Sequence, residues 1–464
     1  MALLGIQLRD ETRRRISMLS NKRNSLKAAM VAAAIVIPAV MPAAEAKTKP
    51  NIVYILADDL GYGDLSCYGQ EKFKTPNIDS LAKEGMKFTD HYSGSTVCAP
   101  SRCALMTGLH TGHAQVKNNR EVQPEGQKAM RADTVTIPRL LKKAGYVSGM
   151  FGKWGLGAPG SDSDPAEHFD TFYGYNCQRQ AHTFYPRHLW SNREKVELDG
   201  KTYSHDLIMK AALEFIRTNK DKPFFCYMPF TIPHAAMHAP KELHDKYRKL
   251  YPQFEKKIGR YSGPQVTNPI AAFPAMVEHM DNGVGQVLDL LRELKIEDNT
   301  LVIFTSDNGA HHEGGHDPRF WDSNGPLRGH KRDLYDGGIR APFLARWSGT
   351  IAKGTTSNHI SAFWDMMPTF CEIAGIETPG KIDGISMLPT LMGEKKNQRQ
   401  HEYLYWQYGR KAVRLGKWKG VKGKGIELYD IEADIGETKN LSKENPDVVK
   451  RIAECMAEAV KDLE

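Results

Sequence analysis

Asn51-Ile-Val-Tyr-Ile-Leu-Ala57 is an unbroken apolar run that ends abruptly on Asp58-Asp59. Three later segments share its form. Tyr146 to Phe151 runs into Gly152-Lys153, Phe224 to Phe230 into Pro233-His234, and Leu301 to Thr305 into Asp307-Asn308-Gly309. Continuous apolar runs without alternation suit strands buried on both faces of a parallel sheet. Segments with a helical period lie between them. Pro76 to Glu84 opens on Thr75-Pro76 and stops at Gly85, and Pro138 to Ala144 stops at Gly145. Ser204 to Thr218 and Met276 to Leu294 carry apolar residues at helical spacing. This alternation predicts an α/β fold, a large and mostly parallel central sheet with helices on both faces. In such folds the ligand site lies at the carboxyl ends of the strands. Here those ends carry Asp58, Asp59, Lys153, His234, Asp307 and Asn308.

The rest of the 464-residue chain is organised around this core. Short, partly alternating runs at 402–406, 411–414, 418–421 and 426–429 predict an antiparallel meander, followed by a helix from about Asn445 to Leu463. The Gly/Pro/Lys-rich stretch 375–400 marks the boundary between a main α/β domain, 49–375, and a C-terminal subdomain, 376–464. Residues 1–46 form an N-terminal extension and signal peptide. Lys22, Arg23 and Lys27 precede the apolar residues 28–44, and Ala44-Glu45-Ala46 fits a small-x-small cleavage site. Pro38 and Pro42 interrupt the apolar run, so no stable membrane span is expected after cleavage, and the mature protein is expected in the periplasm or outside the cell. The net charge is +8, but without residues 1–46 the balance falls to 56 basic against 52 acidic residues, too even to favour nucleic acid as a partner. The seven cysteines are scattered and contain no CxxC pair, so neither a disulfide framework nor a zinc module is indicated.

Cys98-Ala-Pro-Ser-Arg102, followed by Leu105-Met-Thr-Gly108, is the sharpest local signal. A helical pattern after it places Cys98 near a helix N-terminus, where backbone N–H groups favour anions and lower a nucleophile's pKa. Asp58, Asp59, Asp307 and Asn308 offer only oxygen ligands, which select Ca²⁺ or Mg²⁺ over zinc. His311, His312, His316 and Asp317 lie in a Gly-rich stretch whose spacing fits no standard zinc site.

The chain after residue 48 resembles the type I sulfatase family, whose members carry the C-x-P-S-R and L-x-T-G motifs. The resemblance extends to Asp58-Asp59, Gly152-Lys153-Trp154, Asp307-Asn308-Gly309, Gly337-Gly338-Ile339-Arg340-Ala341-Pro342 and the stretch from Leu428-Tyr429-Asp430 to Gly436-Glu437-Thr438. It implies an alkaline-phosphatase-like fold and a sulfatase activity. It implies that Cys98 becomes formylglycine through a formylglycine-generating or anaerobic sulfatase-maturating enzyme. It implies one Ca²⁺ held by Asp58, Asp59, the residue at 98, Asp307 and Asn308. Arg102, Lys153 and Lys331 are then the cations that stabilise charge on the sulfuryl oxygens. The hydrated aldehyde attacks sulfur, His234, aided by Lys331, protonates the leaving alcohol, and the aldehyde reforms as sulfate departs.

One departure stands out. Many members read G-K-W-H-L-G where this chain has Gly155, and the His missing there contacts the formylglycine. His182, in the aromatic and amide-rich segment Cys177 to Pro186, is the expected substitute. That segment also suits sugar binding, with His316 and Asp317 as further contacts to sugar hydroxyls. The substrate implied by analogy is a sulfated carbohydrate, cut from the end at galactose or N-acetylgalactosamine sulfate. Two alternatives are a phosphodiesterase or phosphonate monoester hydrolase of the same superfamily, and a non-catalytic sulfated-glycan-binding protein, prompted by Gly155.

Overall fold

The computed structural model describes residues 49–461; the signal-peptide reading falls outside them. Ten strands form the central sheet: β1 (Asn51–Ala57), β2 (Met86–Phe88), β3 (Val147–Lys153), β4 (Thr171–Tyr175), β5 (His188–Ser191), β6 (Glu194–Glu197), β7 (Phe224–Pro229), β8 (Thr300–Ser306), β9 (Phe343–Trp347) and β10 (Thr355–Ser357). Their order is β10-β2-β9-β8-β1-β7-β3-β4-β5-β6. The run from β8 to β4 is parallel throughout. Antiparallel pairings flank it, β8 with β9 and β9 with β2 on one side, β4 with β5 and β5 with β6 on the other. The sheet is therefore mixed and mostly parallel, as the alternation of strand and helix patterns predicts.

Burial on both faces explains the unbroken apolar runs. Alternate residues of β1 go to opposite cores. Val53 and Ile55 join Phe304 of β8 under α4 (Ser204–Asn219) and α6 (Pro269–Glu293). Ile52, Tyr54 and Leu56 join Leu301 and Ile303 under α2 (Cys98–Thr107), α3 (Ile137–Lys143) and α7 (Met366–Ala374). Two further helices, α1 (Pro76–Glu84) and α5 (Lys241–Leu250), complete this layer set. α6 begins a turn or more before the apolar period expected from Met276, because Pro274 lies inside it and Asn268 caps its start by accepting from the Ala271 N–H.

A separate four-stranded antiparallel sheet follows, β11 (Leu404–Tyr408), β12 (Arg410–Leu415), β13 (Trp418–Lys422) and β14 (Ile426–Asp430), with α8 (Pro446–Glu458) packed on it through Ile452, Cys455 and Met456. Lys419 of β13 is fully buried and bonds Asp336 at 2.6 Å, while Asp336 also accepts from Tyr92 at 2.8 Å. The seven cysteines are free. Among the described residues no helix is long and apolar enough to cross a membrane.

Candidate active site

The parallel register brings the polar ends of β1, β8, β3 and β7 to one edge. The Asp307 N–H donates to the Ala57 carbonyl at 3.0 Å and the Asp58 N–H to the Ile232 carbonyl at 3.3 Å, so these loops continue the strand pairing. Asp59 then turns into the left-handed region, φ 63°. Asp tolerates this better than most residues, at a cost on the order of 1 kcal/mol. The turn is held by the Asp59 N–H donating to Asp307 Oδ1 at 3.1 Å and the Leu60 N–H to Ser306 Oγ at 3.0 Å. Asn308 Nδ2 donates to Asp59 Oδ1 at 2.7 Å. Gly309 meets the Gly337-Gly338 run so closely that a Cβ there would sit 1.8 Å from the Gly337 oxygen, which explains glycine at 309, while Cβ atoms at 337 and 338 would strike the Gly329 and Asp333 carbonyls at 2.3 and 2.2 Å.

Each acid faces a cation. Lys153 Nζ lies 2.6 Å from Asp58 Oδ2, and Lys331 Nζ lies 2.6 Å from Asp59 Oδ2. Arg102 grips Asp307 Oδ2 through Nε at 3.0 Å and a second nitrogen at 2.9 Å, and donates to the Lys153 carbonyl at 2.6 Å. All six side chains are buried. Burial by itself raises the Asp58 pKa, but Lys153, with His234, Arg102 and Lys331, holds the carboxyl far below its ordinary range. Asp307 moves the other way, to about 7, through burial and the charge of Asp58 beside it. Charges thus cancel in pairs while two acids still repel.

That repulsion, with two orphaned oxygens, tests the fit of a metal. Asp58 Oδ1 and Asn308 Oδ1 are buried with no hydrogen-bond partner. Asp58, Asp59, Cys98 and His234 place ligand-type atoms within 4.8 Å of one another. A hard divalent cation satisfies such oxygens, relieves the repulsion and leaves a net positive site for an anionic ester.

Cys98 is the first residue of α2, as the motif predicts. Ser101 Oγ donates to the Asp307 carbonyl at 2.6 Å and accepts from the Gly94 N–H at 3.0 Å, locking the helix to the edge. The expected lowering of the thiol pKa does not occur. Burial pushes Cys98 up to about 12, with Lys153 opposing, because the helix start is enclosed rather than open to water. An unmodified thiol here is protonated and a poor nucleophile.

His234 donates from Nδ1 to the Ala235 carbonyl and accepts at Nε2 from Lys331 Nζ, 2.9 Å away. Burial, then the charge of Lys331, keeps its pKa well below the usual value. His182 lies parallel to His234, rings 4.5 Å apart and 1° from coplanar orientation, with Tyr261 edge-on to both. His316 and Asp317 stand apart: among the described residues neither hydrogen-bonds to the carboxylate and cation cluster. His316 is buried on Phe273 at 4.0 Å. Asp317 caps a short helix, Pro318–Trp321, by accepting from the Phe320 N–H at 3.1 Å.

The structure adds residues that sequence reasoning missed. Asn119 accepts from the Ala99 N–H at 3.0 Å and places Nδ2 4.0 Å from Cys98 Sγ. Glu313 lies 3.8 Å from Lys331, 3.1 Å from His311 Nδ1 and against Arg332. Glu313 falls inside the His-rich stretch already singled out; nothing in the sequence marks Asn119.

Buried carboxylates matched by buried cations, at the carboxyl edge of an alkaline-phosphatase-like sheet, define a hydrolase of anionic esters. The comparisons are specific: the family model described as Sulfatase matches residues 50–376, and that of N-sulphoglucosamine sulphohydrolase, C-terminal, matches 329–464. The chain belongs to the sulfatase family and is a sulfuric ester hydrolase. It is 34% identical to N-acetylgalactosamine-6-sulfatase of Rattus norvegicus over 81% of this chain and 72% of that one. It is 33% identical to arylsulfatase A of Homo sapiens over 84% of this chain and 83% of that one. A crystal structure of Ps i-CgsB in complex with k-i-k-neocarrahexaose is similar in fold, TM-score 0.75, at 28% identity over 90% of this chain and 94% of the other.

Proposed function

We propose that this enzyme removes O-sulfate from a sulfated glycan, acting on terminal galactose or N-acetylgalactosamine sulfate, with Cys98 converted to formylglycine and one Ca²⁺ held by Asp58, Asp59, residue 98, Asp307 and Asn308. The observation that carries this is the buried thiol, protonated and unreactive as cysteine, set among acids with oxygens left unpartnered. When bound, the cation supplies Lewis acidity toward a sulfuryl oxygen, and the aldehyde hydrate supplies a hydroxyl nucleophile.

The chain's own residues do the rest. Lys153 and Arg102, anchored on Asp58 and Asp307, present fixed positive charge where the sulfuryl group sits. Lys331 Nζ holds a proton shared with His234 Nε2, and the pair delivers it to the departing sugar oxygen. His182 and Tyr261, stacked about His234, form the wall against which a sugar ring packs. The glycan substrate is supported by relatives named for N-acetylgalactosamine sulfate and by the neocarrahexaose complex of the similar fold. The proposed organisation is an exported chain with a catalytic domain 49–375 and a C-terminal subdomain 376–464.

The test is peptide mass spectrometry across Cys98 after co-expression with a formylglycine-generating enzyme, followed by a sulfated-sugar screen with and without a Ca²⁺ chelator. A mass loss of about 18 Da, a thiol becoming an aldehyde, together with chelator-sensitive sulfate release, is expected. An unmodified Cys98 in protein from its own host that still binds sulfated sugar would favour the non-catalytic reading instead.

A further inference from the structure

A group of side-chain amides at this edge has no partners. β3 and β4 pair in parallel, Lys153 opposite Tyr175, so Gly155 and Asn176 leave the sheet side by side, and the Gly155 N–H donates to the Asn176 carbonyl at 3.2 Å. Asn176 is fully buried, yet neither Nδ2 nor Oδ1 has a hydrogen-bond partner. Gln178 is 3% exposed, and its Nε2 is also unpartnered. Such groups are costly when left unsatisfied, so a fold retains them where something else supplies the bond.

The position of Gln178 is set from both sides. Its backbone N–H donates to Gln127 Oε1 at 3.1 Å. Its side chain fills the space beside Gly155: a Cβ at 155 would lie 2.9 Å from both Gln178 Cγ and Nε2, and Gly155 has φ 76°, where other residues are strained. A glycine at 155 and a glutamine at 178 are therefore one arrangement, in which the amide occupies the room of a side chain at 155. The strand end that leads into this room is tied to the helix that begins at residue 98. Arg102, one turn after Cys98, is anchored on the Lys153 carbonyl at 2.6 Å, two residues before Gly155. The loop that carries Gln127 also carries Asn119, whose amide reaches Cys98 Sγ.

We propose that Gln178, seated against Gly155 and backed by Asn176, donates a hydrogen bond from Nε2 to the oxygen that residue 98 carries in the mature enzyme. The proposal rests on the reading of Cys98 as the precursor of an oxygen nucleophile. It deepens that reading by naming a partner that cannot titrate. A carboxamide orients a hydroxyl but neither takes nor supplies a proton near neutral pH, so the proton lost when sulfate departs goes to another group.

The test uses the co-expressed enzyme and two variants, Gln178→Met, similar in size but without the amide, and Gln178→Glu, nearly isosteric. Conversion at residue 98 is first quantified by peptide mass. Then kcat, KM and their pH profiles are measured on an aryl sulfate, and turnover mixtures are quenched for intact mass. For Gln178→Met, fully converted, kcat is expected to fall on the order of 10²-fold with KM changed little, as for loss of one preorganised donor. The fraction of chains heavier by about 80 Da, one sulfuryl group, is expected to rise, because the second half of the cycle slows. Gln178→Glu is expected to add an ionisation to the kcat profile that the wild type lacks. Fully converted Gln178→Met with wild-type kcat and no heavier species would overturn this proposal alone. Should Gln178→Met be unstable, a Gln178→Glu profile identical in shape and height to the wild type would overturn it as well. Active wild-type enzyme with cysteine at 98 would overturn the underlying reading, and this one with it.

Discussion

At the scale of single residues, the site is a set of acid–cation pairs whose members come from distant parts of the chain, and in the proposed mechanism His234, with Lys331, serves the leaving oxygen. Its Nε2 shares a proton with Lys331, and burial keeps the ring neutral at rest. His234→Ala is therefore expected to lower kcat by about 10²–10⁴-fold on a sugar sulfate, whose alkoxide needs the proton. The loss on an aryl sulfate with an acidic phenol is expected to be much smaller. Equal losses on both substrates would remove His234 from the leaving-group role. The acids, the thiol, Arg102 and Lys153 were legible because each sits where an apolar run stops or inside a five-residue motif, whereas Lys331 was reached only through the family resemblance. The amides were not legible. Asn176 and Gln178 stand out only through burial and the absence of partners, and Asn119 only through its contacts beside Cys98, and none of these properties is written in residue type or spacing. Asp317 reads ambiguously for the related reason that an acid before Pro318 looks the same whether it caps a helix or faces a ligand.

At the scale of elements, the segment after α2 is tied to two later parts of the chain by one imidazole. His113 Nδ1 lies 2.8 and 2.9 Å from the two oxygens of Asp383, and its Nε2 lies 2.7 Å from the Lys461 carbonyl, just beyond α8. Both nitrogens face acceptors, so the ring serves best as an imidazolium. Burial alone lowers its pKa, but the bond to Asp383 overrides this and raises it above 6.5; His110 and Lys117 are the neighbouring groups. A pKa raised on folding gives stability that is fully present below about 6.5 and lost as pH rises through the folded value. Hydrogen exchange across α8 is thus expected to quicken from mildly acidic to alkaline pH beyond its intrinsic base catalysis, and His113→Gln to flatten that trend. Identical trends in both proteins would refute the clamp. The elements themselves were read well where apolar period and stop signals coincide, as at α1. The start of α6 was missed because a proline inside a helix reads as its boundary.

At the scale of the whole molecule, what the sequence could not carry is strand direction. Phe343–Trp347 is as apolar and as buried as the parallel strands, yet β9 runs against β8. Burial on two faces selects apolar residues in either direction, so composition marks the strand and only the connection decides its sense. The same global assembly encloses the site: Cys98 is 1% exposed once strands from residue 51 to residue 306 have come together around it. Folded enzyme with cysteine at 98 is therefore expected to resist a formylglycine-generating enzyme, whereas the same chain held unfolded, or a short peptide spanning 95–108, is expected to be converted. Comparable conversion of the folded protein would show that the edge opens far more than its packing indicates.

With Cys98 as the formylglycine precursor proposed above, its burial would turn maturation into a race. A chain that closed before its thiol was altered would keep an inert centre, and no later encounter would repair it without unfolding. Each preparation would then be a mixture of two populations, alike in fold and differing at one side chain, with their ratio fixed at synthesis. Specific activity would record how long the nascent chain stayed open. A substitution far from the site that only quickens folding would lower activity per molecule while leaving every active molecule unchanged.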